Sequence, residues 1–195
     1  MEGVDPMTLT KTAAVTVALA QAPGLPTVFT TGYAARIGAA AGGHNHFYMT
    51  GSMGLALSLG TGIAMHSRRT TLVVDGDGSL LMNPVGLVMA GARPDLPLIH
   101  LVLDDGAYAS TGGQRSPGDS VDLPGWARAC GFSRVHTVGS EEALAAVLRE
   151  ELRNPPAPVF VQCRVTSDTT APPPRVTDDL EGITARFSEF LAPQV

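Results

Sequence analysis

The sequence is short of charge, of aromatic residues and of cysteine. Charged residues fill 16% of its 195 positions and aromatics 5%, against 44% apolar. A chain of that balance is neither a disordered acidic tail nor a membrane protein, and it is long enough to bury a core without staples. The formal charge is −5 and no Lys/Arg cluster occurs, so a nucleic-acid partner is excluded: counterion release needs a concentrated basic face. Cysteine stands only at Cys130 and Cys163. With no charged segment leading into an apolar stretch and a cleavage site, the reading is a reduced, cytoplasmic protein with both thiols buried as packing residues. No apolar run reaches the about 20 residues that span a bilayer. Ala13 to Ala20 is closed by Gly24 and Pro26, and Met53 to Met65 stops short. Both read as buried helices, and no membrane partner is expected.

Internal repeats and a second core are also missing, so residues 1–195 read as one domain. What is present is an alternation of strand and helix, the pattern of an α/β parallel sheet with helices on both faces. Helices are expected at Thr8 to Gln21, Met53 to His66, Pro84 to Ala92, Leu123 to Cys130 and Glu141 to Arg153. Strands are expected at Pro26 to Thr30, Thr70 to Asp75, Leu98 to Asp104, Arg134 to Val138 and Val159 to Val165. Ser140 before Glu141 and Glu142 is an N-cap with acids on the positive end of a helix dipole. "NPPAP" at 154–158 ends that helix, because proline lacks the N–H and clashes with the turn behind it. "TAPPPR" at 170–175 is a stiff connector leading to an amphipathic helix from Asp178 to Leu191, so that 170–195 forms a C-terminal connector and helix.

In such a sheet ligands sit beyond the carboxyl ends of the strands. "DGDGS" at 75–79 lies at one of them. Gly76 and Gly78 let the backbone turn and approach a ligand closely, Asp77 offers a hard oxygen, and Ser79 offers a hydroxyl near a helix start. That set suits a diphosphate with Mg²⁺; the alternative is an ordinary strand-to-helix turn. A dinucleotide fingerprint fails because Leu81 stands where the third glycine belongs, and the Gly-Lys-Ser/Thr ending of a Walker loop is missing. "LVLDDGAYASTGGQ" at 101–114 follows the next strand. Asp105 comes 28 positions after Asp77, a separation that one helix and one strand cover. Two carboxylates and a carbonyl then build an oxygen site that phosphate and water complete. "GSMGLALSLGTGIA" at 51–64 makes a helix that another backbone can approach closely, either a partner chain or this chain's own sheet.

Taken together, "TTGYAAR" at 30–36, "GSMG" at 51–54, "GDGS" at 76–79 and "DDGAYASTGGQ" at 104–114 resemble the diphosphate-binding domain of thiamine diphosphate enzymes, and within that superfamily the phosphonopyruvate and sulfopyruvate decarboxylases. The resemblance runs from about Thr8 to about Val165. It implies that Asp77, Asp105 and the Ala107 carbonyl hold Mg²⁺ and that Gly76, Gly78 and Ser79 cradle the diphosphate. It further implies that Met53 is the apolar wedge under a bent cofactor, and that the Gly51 carbonyl accepts from its aminopyrimidine. Ser52 and Tyr108 belong to the same cofactor loops; Tyr108 either covers the diphosphate or simply packs. The family carries asparagine where Asp105 stands, which adds a negative charge to the metal site.

The family also needs a pyrimidine-binding domain that supplies an activating glutamate, and residues 1–48 are too few for one. The expectation is therefore one half of a split enzyme, similar to a beta subunit, completed by an alpha-type pyrimidine-binding partner that the glycine-rich helix after Gly51 faces. No catalytic residue is assigned to this chain. The substrate implied is a small anionic 2-oxo acid. Candidates to meet it are Arg36, His44 and His46 (the latter two in "HNH", which lacks the ββα setting of a nuclease), together with Ser110, Thr111 and Gln114. Arg36 pairing with an acid on the partner and a plain surface turn at 110–114 are the competing readings. His100 and Trp126 read as core. Nonoxidative decarboxylation is the expected reaction; acyloin-forming carboligation and a cofactor-binding module without chemistry are the alternatives.

Overall fold

The computed structural model describes residues 9–192 apart from 155, 167 and 169. Its elements in chain order are α1 (Lys11–Gln21), β1 (Thr27–Phe29), α2 (Tyr33–Ala41), β2 (His46–Tyr48), α3 (Ala56–Ser67), β3 (Thr71–Gly76), α4 (Asp77–Met82) and α5 (Val85–Gly91). There follow β4 (Leu98–Asp104), β5 (Ala107–Tyr108), β6 (Gln114–Arg115), a 3₁₀ turn at Pro117–Ser120, α6 (Leu123–Ala129), β7 (Arg134–Val138), α7 (Glu141–Glu151), β8 (Pro158–Arg164) and α8 (Leu180–Leu191). Six strands form one sheet in the order β2-β1-β3-β4-β8-β7, and every pairing in it is parallel. β5 and β6 make a separate two-residue antiparallel hairpin.

The apolar runs in β3, β4 and β8 are continuous because both faces are covered, and their period-2 alternation sorts them between two cores. Leu72, Val74, Ile99, Leu101, Val159 and Val161 face a core built with α1, α2, α7 and α8. Val73, Leu98, Val102 and Phe160 face the other, built with α3, α5 and α6. From β1 the chain goes outward to β2 on one side and then returns to β3 on the other. The order therefore reverses between β1 and β3, which opens a crevice beyond their carboxyl ends.

Local caps explain most boundaries. Thr10 and Ser140 accept backbone N–H bonds at the starts of α1 and α7, the latter followed by Glu141 and Glu142 as expected. Pro158 opens β8, where a missing N–H is tolerated. α3 begins at Ala56 and not at Met53, because Ser52 (φ 55°) and Gly54 (φ 95°) hold the preceding residues in left-handed turns. Among the elements not expected are α2, a short alanine-rich helix entered through Gly32 at φ 96°, β2, a three-residue edge strand, α4 directly after β3, the β5–β6 hairpin and the 3₁₀ turn. α1 starts at Lys11 behind its Thr10 cap, later than the expected start at Thr8, which itself lies outside the described residues.

Several packing expectations are corrected. Trp126 is 37% exposed on α6, so it is not core; Cys163 is buried but Cys130 only half-buried. Gly60 of α3 faces the sheet, where an added Cβ would meet Val73 Cγ2 at 2.1 Å. The close approach that its glycines allow is therefore made, at that position, to this chain's own β3. Among the described residues no helix is long and apolar enough to cross a membrane.

Candidate functional site at the switch point of the sheet

β1, β3 and β4 deliver Thr30, Asp77 and Asp105 to the rim of one narrow pocket. Asp75, the last acid inside β3, fixes the approach: its Oδ1 accepts from the Gly76 N–H at 3.0 Å, and its Oδ2 lies 3.2 Å from His100 Nε2 in the fully buried middle of β4. His100 is thus a core histidine, although its Nδ1 has no hydrogen-bond partner among the described residues. The chain then turns into α4 with Asp77 as its first residue. Asp77 is 2% exposed, and its Oδ2 accepts from the Ser116 hydroxyl. Burial above all, with Asp104 and Asp105 adding repulsion, pushes the Asp77 carboxyl up to about 6 against the pull of Ser116 and the Gly78 N–H.

Asp105 is the neighbouring acid. Both of its oxygens are buried and, among the described residues, neither accepts a directed hydrogen bond. The Lys11 ammonium from α1 lies 2.6 Å from Oδ2, close enough to attract but outside the angles of a hydrogen bond. Two carboxylates on adjacent strand ends, one raised in pKa and one buried beside the Lys11 ammonium, are of the oxygen-donor type that a hard cation takes. Gly78 fits the same end: a Cβ there would stand 2.4 Å from the Tyr108 ring, so only glycine lets the loop and that ring close together.

Ser79 has a different place from a free phosphate donor. Its buried hydroxyl lies 2.9 Å from Thr30 Oγ1 and accepts the Gly54 N–H at 3.1 Å, while Asn83 donates to the Gly54 carbonyl at 3.0 Å. One hydroxyl thus ties together the ends of β1 and β3 and the loop after β2. Gly51 and Ser52 lie exposed on that loop. Met53 reaches both the first pocket and a second cavity of about 400 Å³ beside it. Arg36, Ser110 and Thr111 line the second cavity as well, and Ser110 packs on Gly32.

The other substrate candidates are not brought in. His46 opens β2 at its amino end, away from the strand ends that build the site, and is buried against Phe29 and Tyr48. Burial holds its imidazole down to about 4. His44 sets its ring against Phe190 of α8. Gln114 is exposed in β6 and lies within 3.5 Å of the Thr111 hydroxyl of its own loop. Sequence reasoning missed Lys11, Ser116, Thr30 and Arg175 as site residues. Only Thr30, at an expected strand end, carried a signal.

A doubly wound parallel sheet with buried carboxylates and glycine turns at its switch point belongs to the α/β proteins that hold an anionic cofactor beyond the strand ends. Residues 26–163 match the family described as thiamine pyrophosphate enzyme, C-terminal TPP binding domain; the chain belongs to that family and is a thiamine diphosphate-binding domain. It is 40% identical over 145 residues to a phosphonopyruvate decarboxylase of Streptomyces hygroscopicus, a match covering 74% of this chain and 36% of that relative. It is also 40% identical over 145 residues to the sulfopyruvate decarboxylase subunit beta of Methanothermobacter thermautotrophicus, covering 73% of each. The chain thus spans about a third of the phosphonopyruvate decarboxylase and nearly three quarters of the beta subunit. Benzoylformate decarboxylase from Polynucleobacter necessarius shares the fold at TM-score 0.69 and 16% identity, over 87% of this chain and 35% of that one.

Proposed function

We propose that this chain is a single diphosphate-binding-type domain acting as one subunit of a two-chain, thiamine diphosphate- and Mg²⁺-dependent decarboxylase. Its substrate is phosphonopyruvate, sulfopyruvate or a similar anionic 2-oxo acid, and a pyrimidine-binding partner completes it in the cytoplasm. The observation that carries the reading is the convergence of Asp77 and Asp105 on one pocket at the ends of β3 and β4, with the Asp105 carboxylate buried beside the Lys11 ammonium. The match across most of a beta subunit supports the split arrangement.

In this reading Asp77, Asp105 and the Ala107 carbonyl hold Mg²⁺. The turn Gly76 to Ser79 and Tyr108 surround the diphosphate, and Gly51, Ser52 and Met53 meet the rest of the cofactor. When bound, the cofactor supplies the electron sink for the pair left behind as CO₂ departs. The chain's own part is positional. Ser116 orients the Asp77 carboxylate by donating to Oδ2, and the Asp75 carboxylate holds the Gly76 N–H. Met53, Tyr33 and Tyr108 line the pocket with apolar surface, which limits water beside the reacting carbon. The partner subunit supplies the activating carboxylate.

A surface for that partner adjoins the site. Met82 and Asn83 back the Gly54 turn, and Leu55, Met82, Val85, Val88 and Met89 are 46–63% exposed. Large apolar side chains grouped in this way are interaction surface more often than solvent surface.

The test is reconstitution. The chain is mixed with a purified pyrimidine-binding partner, thiamine diphosphate and Mg²⁺, and CO₂ release is followed from sulfopyruvate, phosphonopyruvate and pyruvate, with and without aldehyde acceptors. Turnover by the mixture alone, with aldehyde product, is expected. Turnover without the partner, or an exclusively acyloin product, overturns the reading.

A further inference from the structure

The second cavity, of about 400 Å³, lies within the range of sites that enclose small molecules. It shares Thr31, Met53 and Ser110 with the cofactor pocket. The two differ in charge. The first is lined by Asp75, Asp77 and Asp105 with Lys11; the second is lined by Arg36 and Arg175 and by no acid. Among the described residues neither guanidinium has a carboxylate within ion-pair distance, all the observed pairs involving other side chains. Two unpaired guanidiniums facing one cavity repel each other unless an anion lies between them.

Arg36 is held through its side chain, and Arg175, itself exposed, through the backbone on either side of it. Arg36 sits in the first turn of α2, half-buried, with its guanidinium 5.2 Å from the centre of the Tyr33 ring. Arg175 follows Pro172, Pro173 and Pro174, a run stiffened by three fixed φ angles. The residue after it, Val176, packs against the first core. Beyond that, α8 is docked by buried Ile183 and Phe187 and by Arg186, which donates to the His46 carbonyl and pairs with Asp178 at 3.1 Å. The connector is therefore anchored just past Arg175 and presents it at a defined place.

We propose that Arg36 and Arg175 form the subsite for the second anion of the substrate, the phosphonate or sulfonate on C3, so that the C-terminal connector is part of the specificity pocket. The inference rests on the decarboxylase reading and deepens it. A 2-oxo acid loses its carboxylate as CO₂, whereas the C3 anion stays throughout. Grip on the group that does not react supplies orientation without stabilising the bond that must break. The guanidinium fork matches the tetrahedral oxygens of either group.

The experiment uses the cofactor-loaded complex with its partner and the variants Arg36→Gln, Arg175→Gln and Arg175→Lys. Expected is a fall of about tenfold or more in kcat/KM for sulfopyruvate and phosphonopyruvate relative to pyruvate in both glutamine variants, the scale of a lost charge-assisted contact. Partial recovery is expected in Arg175→Lys, with thiamine diphosphate affinity within about twofold of the parent. An equal fall for all three substrates, no fall, or loss of partner assembly in Arg36→Gln overturns the subsite. If the parent complex releases CO₂ from none of them, the decarboxylase reading fails separately. Calorimetric binding of sulfoacetate then still decides the subsite: weakening of about tenfold in Arg175→Gln supports it, and unchanged binding sinks it.

Discussion

Lys11, the only lysine of the chain, places its ammonium 2.6 Å from Asp105 Oδ2 with side chains 11% and 3% exposed. The aspartate is the position at which the family resemblance leads one to expect asparagine. Its extra negative charge is met inside this chain by the lysine, so the two are balanced as a buried pair. Removing one member of a buried pair leaves the other desolvated and alone, at about 3 kcal/mol. Lys11→Met should be the costlier single change, because it leaves Asp105 facing Asp77. Lys11→Met with Asp105→Asn should cost clearly less than the sum in urea unfolding of the cofactor-free protein. Additive losses would show that the pair is not coupled.

Asp77 predicts an unusual pH response. Its folded pKa of about 6 lies above the ordinary 3.8, so the folded state favours the protonated acid. The stability that this contributes is complete below about pH 3.8 and is lost as pH rises through about 6, on the order of 3 kcal/mol. Without Mg²⁺ and cofactor, Asp77→Asn should therefore gain stability relative to the parent between pH 4 and 7. In the proposed metal role of Asp77 the cation takes the carboxylate form, so Mg²⁺-dependent cofactor affinity should weaken as pH falls below about 6. Parallel melting curves for parent and variant across that range would expose the error.

His46 acts with the opposite sign. Burial first, and then the charges of Arg186 and His44, lower it from 6.5 to about 4. Its neutral form stabilises the fold above pH 6.5, and that contribution is lost as pH falls through about 4, again on the order of 3 kcal/mol. His46→Gln should flatten the acid limb of a stability curve, and an unchanged limb would reject the assignment.

The two α3 glycines separate packing from exposure. A Cβ at Gly60 would collide with Val73, whereas at exposed Gly62 it would meet nothing within 4 Å. Gly60→Ala should destabilise by about 1–3 kcal/mol through overpacking. Gly62→Ala should stabilise by about 0.5–1 kcal/mol through helix propensity. Equal effects in thermal unfolding would mean that both face the same surroundings.

Legibility followed periodicity and failed where contact is distant or elements are short. β4 and β7 have the expected bounds, β3 is shifted by one residue at both ends and α6 stops one residue early, because continuous apolar runs and caps are local signals. β2 has three residues, too few to show a period, and α2 hides behind the glycines of "TTGYAARIGAAA". Asp77 and Asp105 were visible as a pair because parallel topology brings consecutive strand ends together. Lys11 and Arg175 were not, since α1 and the connector reach the site only through tertiary packing. The "HNH" histidines misled because nearness in sequence to Gly51 hid the direction of the strand between them: β2 carries the chain from its amino end, where His46 sits, toward the site.

The Ser79 hydroxyl, shared between Thr30 and Gly54, has an entropic consequence. Fixing a loop residue costs about 1–2 kcal/mol in lost backbone freedom. Because one buried oxygen on α4 clasps the two loops that carry Thr30 and Gly54, that loss falls within folding and little of it is left for the moment a ligand arrives. Affinity at this end of the sheet is therefore set in part before any contact with the ligand is made.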